Sequence, residues 1–326
     1  MQILSTFISR LLNLSILCLL IGISTVHSQT AASYPQNKIE LPLSAYKLPF
    51  TWQGDTILNK WEPHSAILVP VKFEGCQKTF YMQFDLGANY SLFYSGKLKT
   101  IIKQYPDMAK TLAVNQESGT ISFKLHRTKI NANEIAVKNF GNADINFKDK
   151  KAIDIIGTIG SDFIDGKTVV MDYQNQQIII SPKSYSSFNK RIIFADFIYN
   201  NKSLLLPSKV NGKQTLLFFD TGSSRYALLT NKKTAESLAI PNTTVLSSKV
   251  NSWGKVVTAN SLATNANIEI ANTFLPMYYT TYIEGASAAQ IDRMAKLGIG
   301  GMTGNQLFIN YKLILDTKNQ KFALVK

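Results

Sequence analysis

Two stretches of the sequence run from apolar residues into an aspartate followed two positions later by glycine: Phe84-Asp85-Leu86-Gly87-Ala88 and Phe219-Asp220-Thr221-Gly222-Ser223. A buried, unpaired carboxylate costs several kcal/mol, so each aspartate is either hydrogen-bonded and shared or lies where its strand ends in water. Two carboxylates a few ångströms apart cannot both ionise, so they hold one proton between them at moderate pH. Such a pair offers a base to activate water and an acid to protonate a leaving group.

The two stretches belong to a longer repeat. Pro70, Lys72, Gly75 and Gln77 before the first aspartate fall on Pro207, Lys209, Gly212 and Gln214 before the second. Further on, "GTIGSDFIDGKTVVMDYQNQQIII" (157–180) lies without a gap on "GMTGNQLFINYKLILDTKNQKFAL" (301–324). Gly157, Gly160, Asp172, Asn175 and Gln176 recur as Gly301, Gly304, Asp316, Asn319 and Gln320. Three blocks in the same order make the chain a duplicated domain.

The elements that must carry these residues read as β. Alternation and β-branched residues predict strands near 66–73, 79–85, 119–125, 168–172 and 177–181. "DYQNQQ" and "DTKNQK" are polar turns between strands, and short helices are expected at 96–104, 232–238 and 286–296. "SPKSYSSFNK" (181–190) is the natural link between the halves. The chain has 326 residues, 45% of them hydrophobic, which is enough for a substantial core and excludes disorder.

Residues 1–28 read as a secretory signal: Arg10, an apolar run 11–23, then the small residues Val26 and Ser28. Without them the formal charge falls from +14 to +13, because they contain one base and no acid. They also take Cys18, leaving Cys76 as the one cysteine, so no internal disulfide can form. The lysines are scattered and no nucleic-acid-binding signature occurs, so a basic soluble surface is expected, with no nucleic-acid partner. The divisions read from the sequence are 1–28 as signal peptide, 29–65 as an N-terminal segment, 66–183 as the first lobe and 184–326 as the second.

Phe219-Asp220-Thr221-Gly222-Ser223-Ser224 and the later apolar-apolar-Gly segment resemble one lobe of a pepsin- or retropepsin-type aspartic protease. "KLGIGGMTGNQLFINYKLILDTKNQKFALV" is similar to the ending of the pepsin family, and "IIGTIGSDFIDGKTVVMDYQNQQIII" resembles the same segment in retropepsin style. The resemblance covers nearly all of 66–326. It implies an all-β, bilobal fold of two related barrel-like lobes with a few short helices. It also implies a catalytic dyad of Asp85 and Asp220, supported by Gly87, Thr221, Gly222 and Ser223. Water would attack a peptide carbonyl in the cleft between lobes, without cofactor or metal.

The family prefers Thr or Ser after each aspartate, as part of a hydrogen-bond lattice between lobes beneath the dyad. Leu86 departs from this, and Ala88 departs more mildly. Ser223 can hydrogen-bond Asp220 and favour its ionised form, which makes Asp85 the expected holder of the proton. A flap closing over substrate is expected at 247–261 with Trp253 and Gly254 at its turn, and at 115–125 in the first lobe with Gly119 at its turn.

The expectation is therefore a monomeric aspartic endopeptidase, exported to a bacterial periplasm or beyond, acting on a peptide or protein substrate without stable membrane insertion. The alternative is an inactive peptide-binding protein of the same fold, because of Leu86. Residues 29–65 could be a removable segment or an integral strand and linker. Other motifs carry less. Thr303 breaks the dinucleotide pattern in "GIGGMTG", and no G-x-S-x-G elbow occurs. His64 and His126 lack ligand spacing, and Cys76 reads as a bystander. Asp154, Asp162, Asp165, Asp172 and Asp316 read as turn or surface carboxylates.

Overall fold

Each Asp-x-Gly stretch ends the second strand of a hairpin, and the hairpin turns follow from their residues. The computed structural model describes residues 35–326 apart from 58, 111, 115–116, 185–191, 253–254, 285–293 and 295. The signal-peptide reading lies outside this range, as do Trp253, Gly254 and nearly all of the helix expected at 286–296.

The first half contains β1 (Lys38–Glu40), β2 (Tyr46–Pro49), β3 (Thr51–Ile57), β4 (Lys60–Lys72), β5 (Phe80–Phe84), β6 (Leu92–Tyr94) and helix α1 (Ser95–Gln104). It continues through β7 (Leu112–Val114), β8 (Ser118–Leu125), β9 (Thr128–Lys138), β10 (Ile155–Ile159), β11 (Thr168–Asp172) and β12 (Gln177–Ser181). The second half begins with β13 (Ala195–Asp196), β14 (Ile198–Asn200), β15 (Ser203–Val210), β16 (Lys213–Phe219), β17 (Leu229–Thr230) and helix α2 (Lys232–Leu238). It ends with β18 (Leu246–Ser252), β19 (Lys255–Ala263), β20 (Asn267–Ile270), β21 (Thr273–Pro276), β22 (Tyr279–Glu284), β23 (Ile299–Thr303), β24 (Lys312–Asp316) and β25 (Lys321–Val325).

These strands form three sheets. A nine-stranded sheet makes the first lobe, a ten-stranded sheet the second, and a six-stranded sheet in the order β13-β25-β24-β11-β12-β2 joins them. The duplication shows in the pairing. In each lobe the strand carrying the aspartate runs parallel to a later strand, β5 with β10 and β16 with β23. In the joining sheet β11 and β24 lie antiparallel, Val170 opposite Ile314, so the two repeats meet about an approximate twofold axis.

Turn chemistry sets the register. Asn211 and Gly212 both take positive φ (46° and 80°) between Val210 and Lys213, the two-residue turn that Asn-Gly favours in hairpins. The repeated Asp-x-x-Asn turns are built alike. Asp172 accepts the Asn175 amide N–H at 3.1 Å and its Nδ2 at 2.9 Å, and Asp316 does the same with Asn319 at 3.0 and 2.9 Å.

The core runs through both lobes. Phe84 and Phe219, the residues before each aspartate, are fully buried. Each contributes roughly 2 kcal/mol by leaving water, which anchors the strand end from which the aspartate projects. Helix α1 buries Leu98 and Ile101 and stops at Tyr105, before Pro106. Helix α2 starts on Asn231, whose side chain accepts the Thr234 N–H. Among the described residues, no helix is long and apolar enough to cross a membrane.

Two readings change. Gly119 does not turn a flap: it lies inside β8, opposite Val114 and Ile135, where an added Cβ would sit 3.2 Å from the Ala113 carbonyl. Strand β8 already begins at Ser118, and β8–β9 turns at His126 and Arg127, with His126 at φ 54°. Asp154 and Asp162 are not surface carboxylates. Asp154 pairs with buried Lys78 at 3.0 Å, and Asp162 accepts Ser91 and Asn37 in the interior.

Strands of the N-terminal segment belong to the sheets. β1 pairs with β9, β2 forms one edge of the joining sheet, and β3 pairs with β4.

Candidate active site

The loops after β5 and β16 leave their sheets in the same way. The backbone N–H of Asp85 donates to the Ile159 carbonyl on the parallel strand at 2.9 Å, and that of Asp220 donates to Thr303 at 2.9 Å. Each loop then turns back on itself, Ala88 N–H to the Asp85 carbonyl and Ser223 N–H to the Asp220 carbonyl, both at 3.2 Å. Gly160 and Gly304 make room for these loops. A Cβ on Gly160 would lie 2.5 Å from Tyr90 backbone, and one on Gly304 would lie 2.1 Å from the Ser223 carbonyl oxygen.

The glycines after the aspartates show how closely the two loops meet. A Cβ on Gly87 would fall 2.3 Å from Oδ1 of Asp220, and one on Gly222 would fall 2.6 Å from Cγ of Asp85. Each carboxyl therefore rests against the other loop's glycine. Neither glycine has positive φ. They are needed for space, not for backbone conformation.

The two carboxyls differ in their donors. Asp85 Oδ1 accepts the Gly87 N–H at 3.0 Å, and Asp220 Oδ1 accepts the Gly222 N–H at 2.8 Å. Asp220 also receives the Ser223 hydroxyl on Oδ2 at 2.7 Å. Ala88 can offer Asp85 only its backbone N–H. Burial pushes the Asp85 carboxyl well above the usual carboxylate range, and the charge of the hydrogen-bonded Asp220 raises it further.

Beneath the pair, half of a lattice between lobes is present. The Thr221 hydroxyl donates to the Phe84 carbonyl at 2.8 Å and accepts the Leu86 N–H at 2.8 Å. Leu86 sends its side chain into the core and has no hydroxyl to return the bond. The structure thus brings Asp85, Gly87, Asp220, Thr221, Gly222 and Ser223 to one place, while Trp253 and Gly254 lie outside the described residues. Strands β18 and β19 pair from Leu246–Ser261 to Ser252–Lys255, flanking those two positions.

Other contributing residues had not been singled out. Ser161 Oγ donates to the Leu86 carbonyl at 2.8 Å, and Asn305 Nδ2 donates to the Thr221 carbonyl at 3.1 Å. Both follow the glycine of their repeat, so the mirrored polar residue at that point was the available signal. The β3–β4 hairpin also reaches the second loop: Ser224 Oγ donates to the His64 carbonyl at 2.6 Å, and Arg225 lies 3.9 Å from Asp55.

No protein-family model matches the sequence, and no curated protein matches it. Among solved structures, the fold is similar to that of the crystal structure of the aspartic proteinase from Irpex lacteus, with a TM-score of 0.50 and 12% sequence identity. The match covers 87% of this chain and 97% of that one. With two β lobes joined by a shared sheet, this chain has the bilobal, all-β, pepsin-like fold.

Proposed function

We propose that the chain is an exported aspartic endopeptidase, with Asp85 and Asp220 as its catalytic pair. The observation that carries this reading is the mutual seating of the two carboxyls, each against the glycine of the opposite loop. Asp85, desolvated and beside a second carboxyl, holds the proton of the pair, and Asp220, which receives the Ser223 hydroxyl, is placed as the base.

Asp220 takes a proton from water as the water oxygen bonds to the peptide carbonyl carbon, and Asp85 gives its proton to the carbonyl oxygen. In the collapse of this neutral diol, Asp85 recovers a hydroxyl proton while Asp220 delivers its own to the departing nitrogen. The C–N bond breaks and the pair returns to its starting state.

One observation favours a second reading. Leu86 leaves the lattice one-sided, which fits a peptide-binding protein that has lost catalysis. The test is cleavage of a diverse peptide library by residues 29–326 between about pH 3 and 8, beside Asp220→Asn. Internal cuts by the parent that vanish in the variant support the peptidase. A folded parent that retains peptides without cutting them supports the silent binder.

A further inference from the structure

The two catalytic loops are fastened differently, and the difference begins at residue 86. In the first loop, Ser161 holds the Leu86 carbonyl from within its own lobe. In the second loop, the mirrored residue Asn305 is the centre of a chain of bonds that crosses the molecule. The Tyr173 hydroxyl, in the turn between β11 and β12, donates to Asn305 Oδ1 at 3.0 Å. Asn305 Nδ2 donates to the Thr221 carbonyl at 3.1 Å and to Ser224 Oγ at 3.0 Å. Ser224 Oγ then donates to the His64 carbonyl in β4 at 2.6 Å.

The direction of this chain is fixed by its chemistry. Burial keeps the Tyr173 hydroxyl protonated, and its one proton favours the amide oxygen at 3.0 Å over the weaker acceptor Met171 Sδ at 3.6 Å. The Thr221 carbonyl can only accept, so it takes the amide nitrogen. One orientation of Asn305 satisfies all its partners. Tyr173, Ser224 and Asn305 are all buried, where an unpaired polar group would be expensive.

We propose that Tyr173, Asn305 and Ser224 are positioning residues, a relay anchored on first-half strands that holds the Asp220 loop where a hydroxyl at position 86 would otherwise help hold it. The proposal rests on Asp85 and Asp220 being the reacting pair. It accounts for a catalytic loop that remains seated although Leu86 contributes only its backbone to the lattice.

The test reads the position of the loop without relying on turnover. Carboxyl carbons of Asp85 and Asp220 are titrated by ¹³C NMR in the parent, Tyr173→Phe, Ser224→Ala, and Tyr173→Phe combined with Leu86→Thr. Loss of the relay lets the Asp220 loop drift from Asp85. The Asp85 titration then falls by about one pH unit, a tenfold loss of proton affinity. Leu86→Thr, which supplies the missing hydroxyl, moves it back. Where a peptide is cleaved, kcat drops about tenfold with KM held. An unchanged Asp85 titration in both folded single variants, whatever their melting temperatures, overturns the relay. So does a combined variant that stays at the Tyr173→Phe value. A parent that cuts no peptide counts against the peptidase, while the titrations still decide the relay.

Discussion

Replacing Gly222 with alanine probes the seating of the dyad with one methyl group. The added Cβ would lie 2.6 Å from Cγ and from both oxygens of Asp85. Ordinary contact needs about 3.5 Å, so roughly an ångström must be found. The neighbour is not the free end of a flexible chain. Asp85 is short, held by the Gly87 N–H on one side and by the β5–β10 backbone bond on the other. Either the Asp85 carboxyl turns off its bond or the two loops part.

Overpacking of this kind costs about 1–3 kcal/mol, and an ångström of misplacement at reacting groups costs about 10²-fold in rate. Gly222→Ala should therefore unfold several degrees earlier by calorimetry. Its kcat/KM on any cleaved peptide should fall about a hundredfold, chiefly in kcat. Gly87→Ala, whose Cβ would meet Asp220 at 2.3 Å, should behave alike. An alanine at either position with parental melting and parental rate would refute the facing-carboxyl geometry.

Asp85 also predicts a pH dependence of stability. Burial and the Asp220 charge raise its folded value, so its contribution is complete below the ordinary carboxylate value near pH ~4 and is lost as pH rises through the raised value. Urea unfolding across that window should show a smaller loss in Asp220→Asn, which keeps the burial but removes the charge. Lys78 is 2% exposed, with Nζ on Asp154 at 3.0 Å and on the Asp149 and Ala152 carbonyls at 2.9 and 3.2 Å. Lys78→Met strands the Asp154 carboxylate and should cost about 3–5 kcal/mol in urea unfolding, with partial recovery on adding Asp154→Asn. Asn37 bonds the Ser91 carbonyl, Asp162 and the Ala136 N–H at 2.7, 2.7 and 2.8 Å. Asn37→Ala should cost about 1–3 kcal/mol, and a chain starting at residue 46 at least as much, measured by thermal unfolding. Equal stability of that shorter chain would support a removable segment.

Much of the fold and the candidate site could be read from the repeats. Asp85 and Asp220 stand out because a strand has few reasons to end on a carboxylate twice in matched surroundings. The Asp-x-x-Asn turns were legible because the turn chemistry is local. Two kinds of feature were not. The β3–β4 hairpin is much longer than its counterpart β14–β15. Its extension beyond Ala66 has no copy in the second half, so the duplication gives no place to His64 and Asp55, which reach the Asp220 loop. Gly119 was misread because glycine signals a turn, whereas here it relieves crowding within β8, and the nearby tight turn falls on His126. Burial of Asp154 and Asp162 depends on Lys78, Asn37 and Ser91, partners remote in sequence, which local polarity cannot reveal.

The most direct test of the central claim is the pH–rate profile of one cleaved peptide, taken with the parent, Asp85→Asn and Asp220→Asn. A pair sharing one proton predicts a bell-shaped profile for the parent, its falling limb set by the raised Asp85, and no cleavage by either asparagine variant. Cleavage that survives in either variant, or a parental rate that ignores pH across the window, would contradict it.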